Sequence, residues 1–108
     1  MDTNVIRLRA RHFTWIERQL LITATQVWSE FTMPQRIIFD VSEEGEEYCV
    51  VLDYTEKCVA HIGFTKTRVF VDSAWFGYGE ANDIEELIRI TMPSEYRSKY
   101  YEYKRKLA

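Results

Sequence analysis

The 108-residue sequence predicts one α+β domain spanning residues 1–108: an antiparallel meander of four to five strands packed on a long N-terminal helix, with two short C-terminal helices closing an edge. Three observations predict it. Residues 14–31 carry a helix start signal and an apolar stripe at helical spacing, residues 36–72 alternate with period two between polar turns, and residues 82–107 return to helical spacing on either side of a proline. With 46% hydrophobic and 15% aromatic residues, the chain can bury a core without metals or disulfides.

Val5 to Arg11 places Ile6, Leu8 and Ala10 on one side and Arg7, Arg9 and Arg11 on the other, the pattern of a half-buried edge strand blunted by charge. The same arginine row, read for function, is a guanidinium ladder for phosphates or an acidic partner. Thr14-Trp15-Ile16-Glu17 is a capping box, so a helix starts at Trp15. Ile16, Leu20, Ala24, Val27 and Phe31 recur along one face with Leu21 and Trp28 beside them, and Pro34 ends the run after Phe31. Trp15 and Ile22 fall on the opposite face among Arg18, Gln19, Gln26 and Ser29. Either the C-terminal helices dock on that face, or the two side chains are anchors in a polar rim.

The strand region begins with Arg36–Val41 and turns at Ser42–Glu46 around Gly45. Tyr48–Tyr54 and Cys58–Phe64 follow as a pair, and Thr67–Asp72 adds a fourth strand. Placing Tyr54 opposite Cys58 sets Leu52 against Ala60, Val50 against Ile62 and Tyr48 against Phe64, which gathers one apolar face. In that register Cys49 and Cys58 point to opposite faces, so reduced, unpaired thiols are expected. Ser73–Ala81 is irregular and carries Trp75, Phe76 and Tyr78 beside Gly77 and Gly79. Asn82, with Glu85 three residues on, is the expected cap of a short helix bearing Ile84, Leu87 and Ile88. Pro93 and Ser94 start the last helix, where Tyr96, Tyr100, Tyr103 and Leu107 form a narrow stripe and Glu95–Lys99 and Glu102–Lys106 are favourably oriented pairs. A helix followed by a strand meander resembles the arrangement of cystatin-like and related small folds, a likeness of architecture that carries no function.

Met1-Asp2-Thr3-Asn4 lacks the basic start of a signal peptide, and no apolar run approaches the roughly 18 residues of a membrane span, so a soluble cytoplasmic protein is expected with no membrane association. Net charge is −3 but uneven: residues 30–57 hold eight acids against Arg36 and Lys57, a balance of −6, while residues 91–108 carry +3.

Few groups have the spacing of a catalytic site. Asp53 and His61, with Cys49 as a nucleophile, are the weak candidates on the second face of the meander. Two histidines and two cysteines show no zinc spacing, and Gly77-Tyr78-Gly79 lacks the third glycine of a dinucleotide fingerprint, so neither metal nor cofactor is expected. Glu43, Glu44, Glu46 and Glu47 read as a solvated hairpin tip able to steer a basic partner. In the last helix Arg97, Tyr101 and Lys104 form an exposed set of the kind that stacks bases and neutralises phosphates.

Together these features predict a small interaction protein, of immunity, inhibitor or adaptor type, that binds and occludes another macromolecule, and an enzyme is the less favoured reading. The anchors are Trp75, Phe76 and Tyr78, then Trp15 and Ile22. The alternative is a small-molecule binder or enzyme using a cavity between sheet and long helix. Nucleic-acid binding through the C-terminal helix comes third, and a homodimer stays open.

Overall fold

The structure, a computed structural model, describes residues 10–107. Its elements in chain order are α1 (Trp15–Phe31), β1 (Gln35–Val41), β2 (Glu47–Asp53), β3 (Cys58–Phe64), β4 (Val69–Ser73), β5 (Gly77–Ala81), α2 (Ile84–Thr91) and α3 (Ser94–Arg105). Among the described residues the five strands form one antiparallel sheet in the order β1-β2-β3-β4-β5, each paired only with its sequence neighbours. The expected α+β meander on a long helix is therefore present. Its fifth strand is Gly77–Ala81, in the stretch expected to be irregular; the strand expected at Val5–Arg11 lies almost wholly outside the described residues, and Ala10 and Arg11 belong to no strand.

The α1 capping box forms as the sequence predicts. Thr14 Oγ1 accepts from the Glu17 amide at 3.2 Å, and the Glu17 carboxylate accepts from the Thr14 amide at 2.8 Å. At the other end Thr32 returns both its amide and its hydroxyl to the Trp28 carbonyl before Pro34. The cap of α2 falls one residue later than expected: Asp83 accepts from the Glu86 amide at 2.8 Å, and the Glu86 carboxylate reaches past the cap to accept from the Asn82 amide at 2.7 Å. Two acceptable caps stand side by side, and the one that turns Ile84 fully inward is used.

The β2–β3 register also differs from the expected one. Cys49 faces Ile62, Val50 faces His61 and Val51 faces Ala60, after which the pairing shifts to Leu52–Cys58, leaving Val59 as a bulged extra residue. The Val59 carbonyl takes the Ala74 amide at 2.9 Å, tying the bulge to the β4–β5 turn. The slip reverses the faces of β2, while β3 keeps the expected ones. Cys49, Val51, Ala60 and Ile62 point into the core, whereas Tyr48, Val50 and His61 lie on the other side.

Helices α1 and α2 cover the inner face of the sheet, and α3 lies across α1, where Tyr96 stacks on Phe31 at 4.2 Å and meets Trp28 edge-on at 5.1 Å. Phe13, Leu20, Leu21, Ala24 and Val27 meet Val69, Val71, Ile84, Leu87 and Met92 in one core, closed by the buried Tyr100. Tyr96, Tyr103 and Leu107 pack against it as the stripe predicts. The expected Glu95–Lys99 and Glu102–Lys106 pairs do not form; α3 instead sends Lys104 to Glu85 and Tyr103 to Glu30, ties between helices instead of along one. Ile16 and Phe31, at the ends of the α1 stripe, are partly exposed.

Candidate functional site

The three residues proposed for catalysis do not converge. Cys49 is buried on the inner face, and burial, with the Glu47 charge beside it, pushes its thiol well above the ordinary range. His61 stands exposed on the outer face. Asp53 closes the β2–β3 turn: its Oδ1 accepts from the Thr55 hydroxyl at 2.6 Å and from the Thr55 and Lys57 amides at 2.8 and 3.0 Å, and these bonds, the Thr55 hydroxyl foremost, hold the carboxylate below its usual range. That is the chemistry of a turn. No group of three or more potential metal ligands occurs among the described residues. Cys49 and Cys58 are both free thiols, one inside and one exposed.

The acidic tip separates into two kinds of carboxylate. Glu43 and Glu44 are exposed. Glu47 is only 5% exposed and is not part of a solvated tip; it receives Arg18 through Nε at 3.0 Å and Nη2 at 2.8 Å and the buried Phe13 amide at 2.8 Å. Glu46 takes Arg11 Nε at 3.3 Å, while the same guanidinium reaches the Thr65 carbonyl and covers the Phe64 ring. Glu46 and Glu47 thus clamp the segment before α1 onto the sheet.

The C-terminal cations are also engaged. Arg97 Nε donates to the Met92 carbonyl at 3.1 Å, satisfying the end of α2, and Lys104 pairs with Glu85 while lying 6.0 Å from the Tyr101 ring. Trp15, 64% exposed, and Ile22 are not covered by α3, which docks instead beside Trp28 and Phe31.

Trp75 and Phe76 stand at the tip of the β4–β5 turn, where Gly77 at φ +90° supplies the left-handed step. Trp75 lies against Trp28 at 4.6 Å, and Phe76 covers Gly79 so closely that a Cβ there would meet its ring at 2.7 Å. Both therefore half-plug the end of the core while keeping one side exposed. Tyr78 points the other way and is 59% exposed.

That other way is the face of the sheet that no helix of the described residues covers, and the true register assembles a row of rings on it. Tyr48 on β2 meets His61 on β3 at 5.4 Å, His61 meets Phe70 on β4 at 5.3 Å, and Phe70 stacks on Tyr78 on β5 at 5.9 Å. The row is diagonal, and Gly63 makes room for it: a Cβ at Gly63 would stand 3.0 Å from the Phe70 ring. A shallow depression of about 560 Å³ lies over β2 and β3 between Tyr48, Val50, Cys58, His61 and Phe70 and runs to Glu44 at the hairpin tip. The chain matches no protein-family model, and comparisons with characterised proteins and with solved structures find no match.

Charge on this face is mostly committed on the cationic side and open on the anionic side. Arg36 pairs with Glu56 and Arg68 with Glu80 at 3.8 Å. Tyr78 donates its hydroxyl to Glu80 at 2.6 Å, which raises the phenol above its ordinary pKa. Asp40 and Asp72 are exposed, and neither forms an ion pair among the described residues; Asp72 stands between His61 and Tyr78 in the strand pairing. Sequence reasoning named Tyr78 and His61 but missed Tyr48 and Phe70. The signal for Phe70 was the alternation that turns Val69 and Val71 inward; Tyr48 was hidden by a β2 register one residue away.

Proposed function

We propose that this chain is an interaction protein that docks on a basic surface of another protein through the open face of its sheet, in the manner of an inhibitor, immunity protein or adaptor. One observation carries the reading: four rings in continuous contact across four strands, on a face that no helix of the described residues covers, with Asp40, Asp72 and Glu44 around them. Tyrosines and their aromatic neighbours supply large contact area at low entropic cost and dominate protein interfaces, while exposed carboxylates speed encounter with a cationic partner. A platform for nucleic acid needs cations along the row to take phosphates. Here Arg36 and Arg68 are taken by carboxylates, and the C-terminal Arg97 and Lys104 serve helix ends.

The test is parallel affinity capture with the wild-type chain, a Phe70→Ala/Tyr78→Ala variant and a Trp15→Ala/Ile22→Ala variant, all verified as folded. A stoichiometric basic protein should be retained by the first and third, lost from the second, and recruited more slowly as salt rises. Retention by the open-face variant, or recovery of RNA in place of a protein, refutes the reading.

A further inference from the structure

A second site lies on the other side of the sheet and does not depend on the open face. Between α1, the inner sheet surface and α2 there is a cavity of about 50 Å³, opened by small side chains where large ones would meet: Ala24 on α1, Ala60 on β3 and Ser73 on β4. Its walls are mostly apolar, and Trp28, Trp75 and Phe76 line it at the exposed end of the fold. At roughly 10–15 Å³ per water the space takes about three to five waters, and it is about a third of the roughly 150 Å³ that holds a benzene ring, so a ring enters it only when the aromatic side chains at its mouth swing outward.

The polar groups on its wall are unequal. Thr25 and Thr91 donate their hydroxyls to the Leu21 and Leu87 carbonyls one turn back, so both are spent within their helices. Ser73 Oγ accepts from the Phe76 amide at 3.0 Å and keeps its own proton. Gln35 also lines the cavity, and its Oε1 is buried with no hydrogen-bond partner. A buried acceptor left empty is costly and rare, and beside a cavity it marks a place where a donor belongs.

From the empty acceptor, the apolar walls and the aromatic mouth together, we infer that this cavity is a ligand site for a small, flat, apolar molecule carrying one hydrogen-bond donor, of the class of a single-ring phenol. The donor satisfies Gln35 Oε1, the ring takes the apolar space, and its outer edge meets Trp28 and Trp75. Few polar groups and mostly apolar walls are the usual makeup of small-molecule pockets. Trp75 and Phe76, on a three-residue turn ending in Gly77, are the side chains that move to admit it.

The probes are phenol and toluene, which differ in the donor. Titration of the wild-type chain, read by indole fluorescence and by side-chain amide and indole N–H shifts in nuclear magnetic resonance, should show saturable phenol binding that shifts the Gln35 amide and the Trp28 and Trp75 indoles. Toluene should bind about tenfold more weakly, the worth of one hydrogen bond, and leave the Gln35 amide unmoved. Gln35→Leu should erase the difference between the two probes. Ala60→Val, which fills the cavity, should remove binding of both. Equal affinity for the two probes in the wild-type chain overturns the role of Gln35; absence of saturable binding of either, meaning that water alone occupies the space, overturns the site. Both readings come from the wild-type protein, so neither depends on a variant that folds.

Discussion

Replacing Glu47 tests whether the acids of the β1–β2 hairpin are one surface or two functions. Glu47→Leu removes a carboxylate that is 5% exposed and holds three donors, two from Arg18 and one from the Phe13 amide. The two losses weigh differently. Arg18, its side chain 36% exposed, can turn to water, so its share is that of a near-surface pair, about 0–1 kcal/mol. The Phe13 amide cannot, because Phe13 is buried between Phe39 and Phe64, and an unsatisfied buried donor costs about 1–3 kcal/mol. The expected loss is therefore about 1–4 kcal/mol for Glu47→Leu and about 0–1 kcal/mol for Glu47→Gln, which keeps an acceptor for the amide and gives up only the charge that Arg18 meets. Urea titration with linear extrapolation measures it, the midpoint falling at unchanged slope. Glu43→Gln/Glu44→Gln is the control and should not move the midpoint. In a double-mutant cycle, Arg18→Met should recover no more than about 1 kcal/mol of the Glu47→Leu loss. A Glu47→Leu midpoint equal to that of the control, or full recovery in the Arg18→Met background, would refute the assignment of the cost to the Phe13 amide.

Three further outcomes follow from the packing. Tyr100 is buried, its hydroxyl has no partner, and burial raises its pKa to about 12. The unfolded phenol ionises near its ordinary 10 while the folded one keeps its proton, so stability falls between about pH 10 and pH 12. Tyr100→Phe should be at least as stable as wild type at neutral pH and should flatten that fall; an unchanged alkaline slope would show the phenol is not shielded. A thiol reagent should label Cys58 at once in the native protein and Cys49 only on unfolding, and two fast thiols would mean that the inner face opens. Trp75→Ala should cost about 1–2 kcal/mol, below the 3–5 kcal/mol of a fully buried tryptophan, because its ring is 39% exposed, and should abolish the exciton signal of the Trp28–Trp75 pair in circular dichroism; a larger loss would make the turn a full plug.

The long helix and the meander were legible because their signals were redundant. Thr14 and Glu17 mark the same start that the apolar spacing marks, and Pro34 agrees on the end. The β2–β3 register was not legible, since Val50, Val51 and Leu52 are apolar in succession and either parity gathers a plausible face; the bulge at Val59 that decides it leaves no local mark. β5 was hidden because Gly77 and Gly79 read as loop, whereas Gly79 is a strand position whose missing side chain Phe76 replaces. Glu47 looked like its three acidic neighbours because nothing in a run of carboxylates tells which one lies beside a buried amide. Of the aromatic row, Tyr48 inherited the register error, whereas Phe70, turned outward by the alternation that turns Val69 and Val71 inward, carried no mark that set it apart from a solvated strand position.

The strict neighbour-to-neighbour order of the sheet sets how the chain can reach this structure. Its hairpin connections, residues 42–46, 54–57, 65–68 and 74–76, are all short, so each strand closes onto the last with little loop entropy. The distant closures are those of the helices: Phe13 and Arg18 to Glu47 across 34 and 29 residues, and Tyr103 to Glu30 across 73. A chain wired this way assembles its sheet from local contacts and docks its helices afterward, the sequence of events low contact order favours. Substitutions at Val51 or Val71 should then slow folding, whereas Glu47→Gln or Tyr103→Phe should chiefly hasten unfolding, and the opposite pattern of rates would place helix docking first.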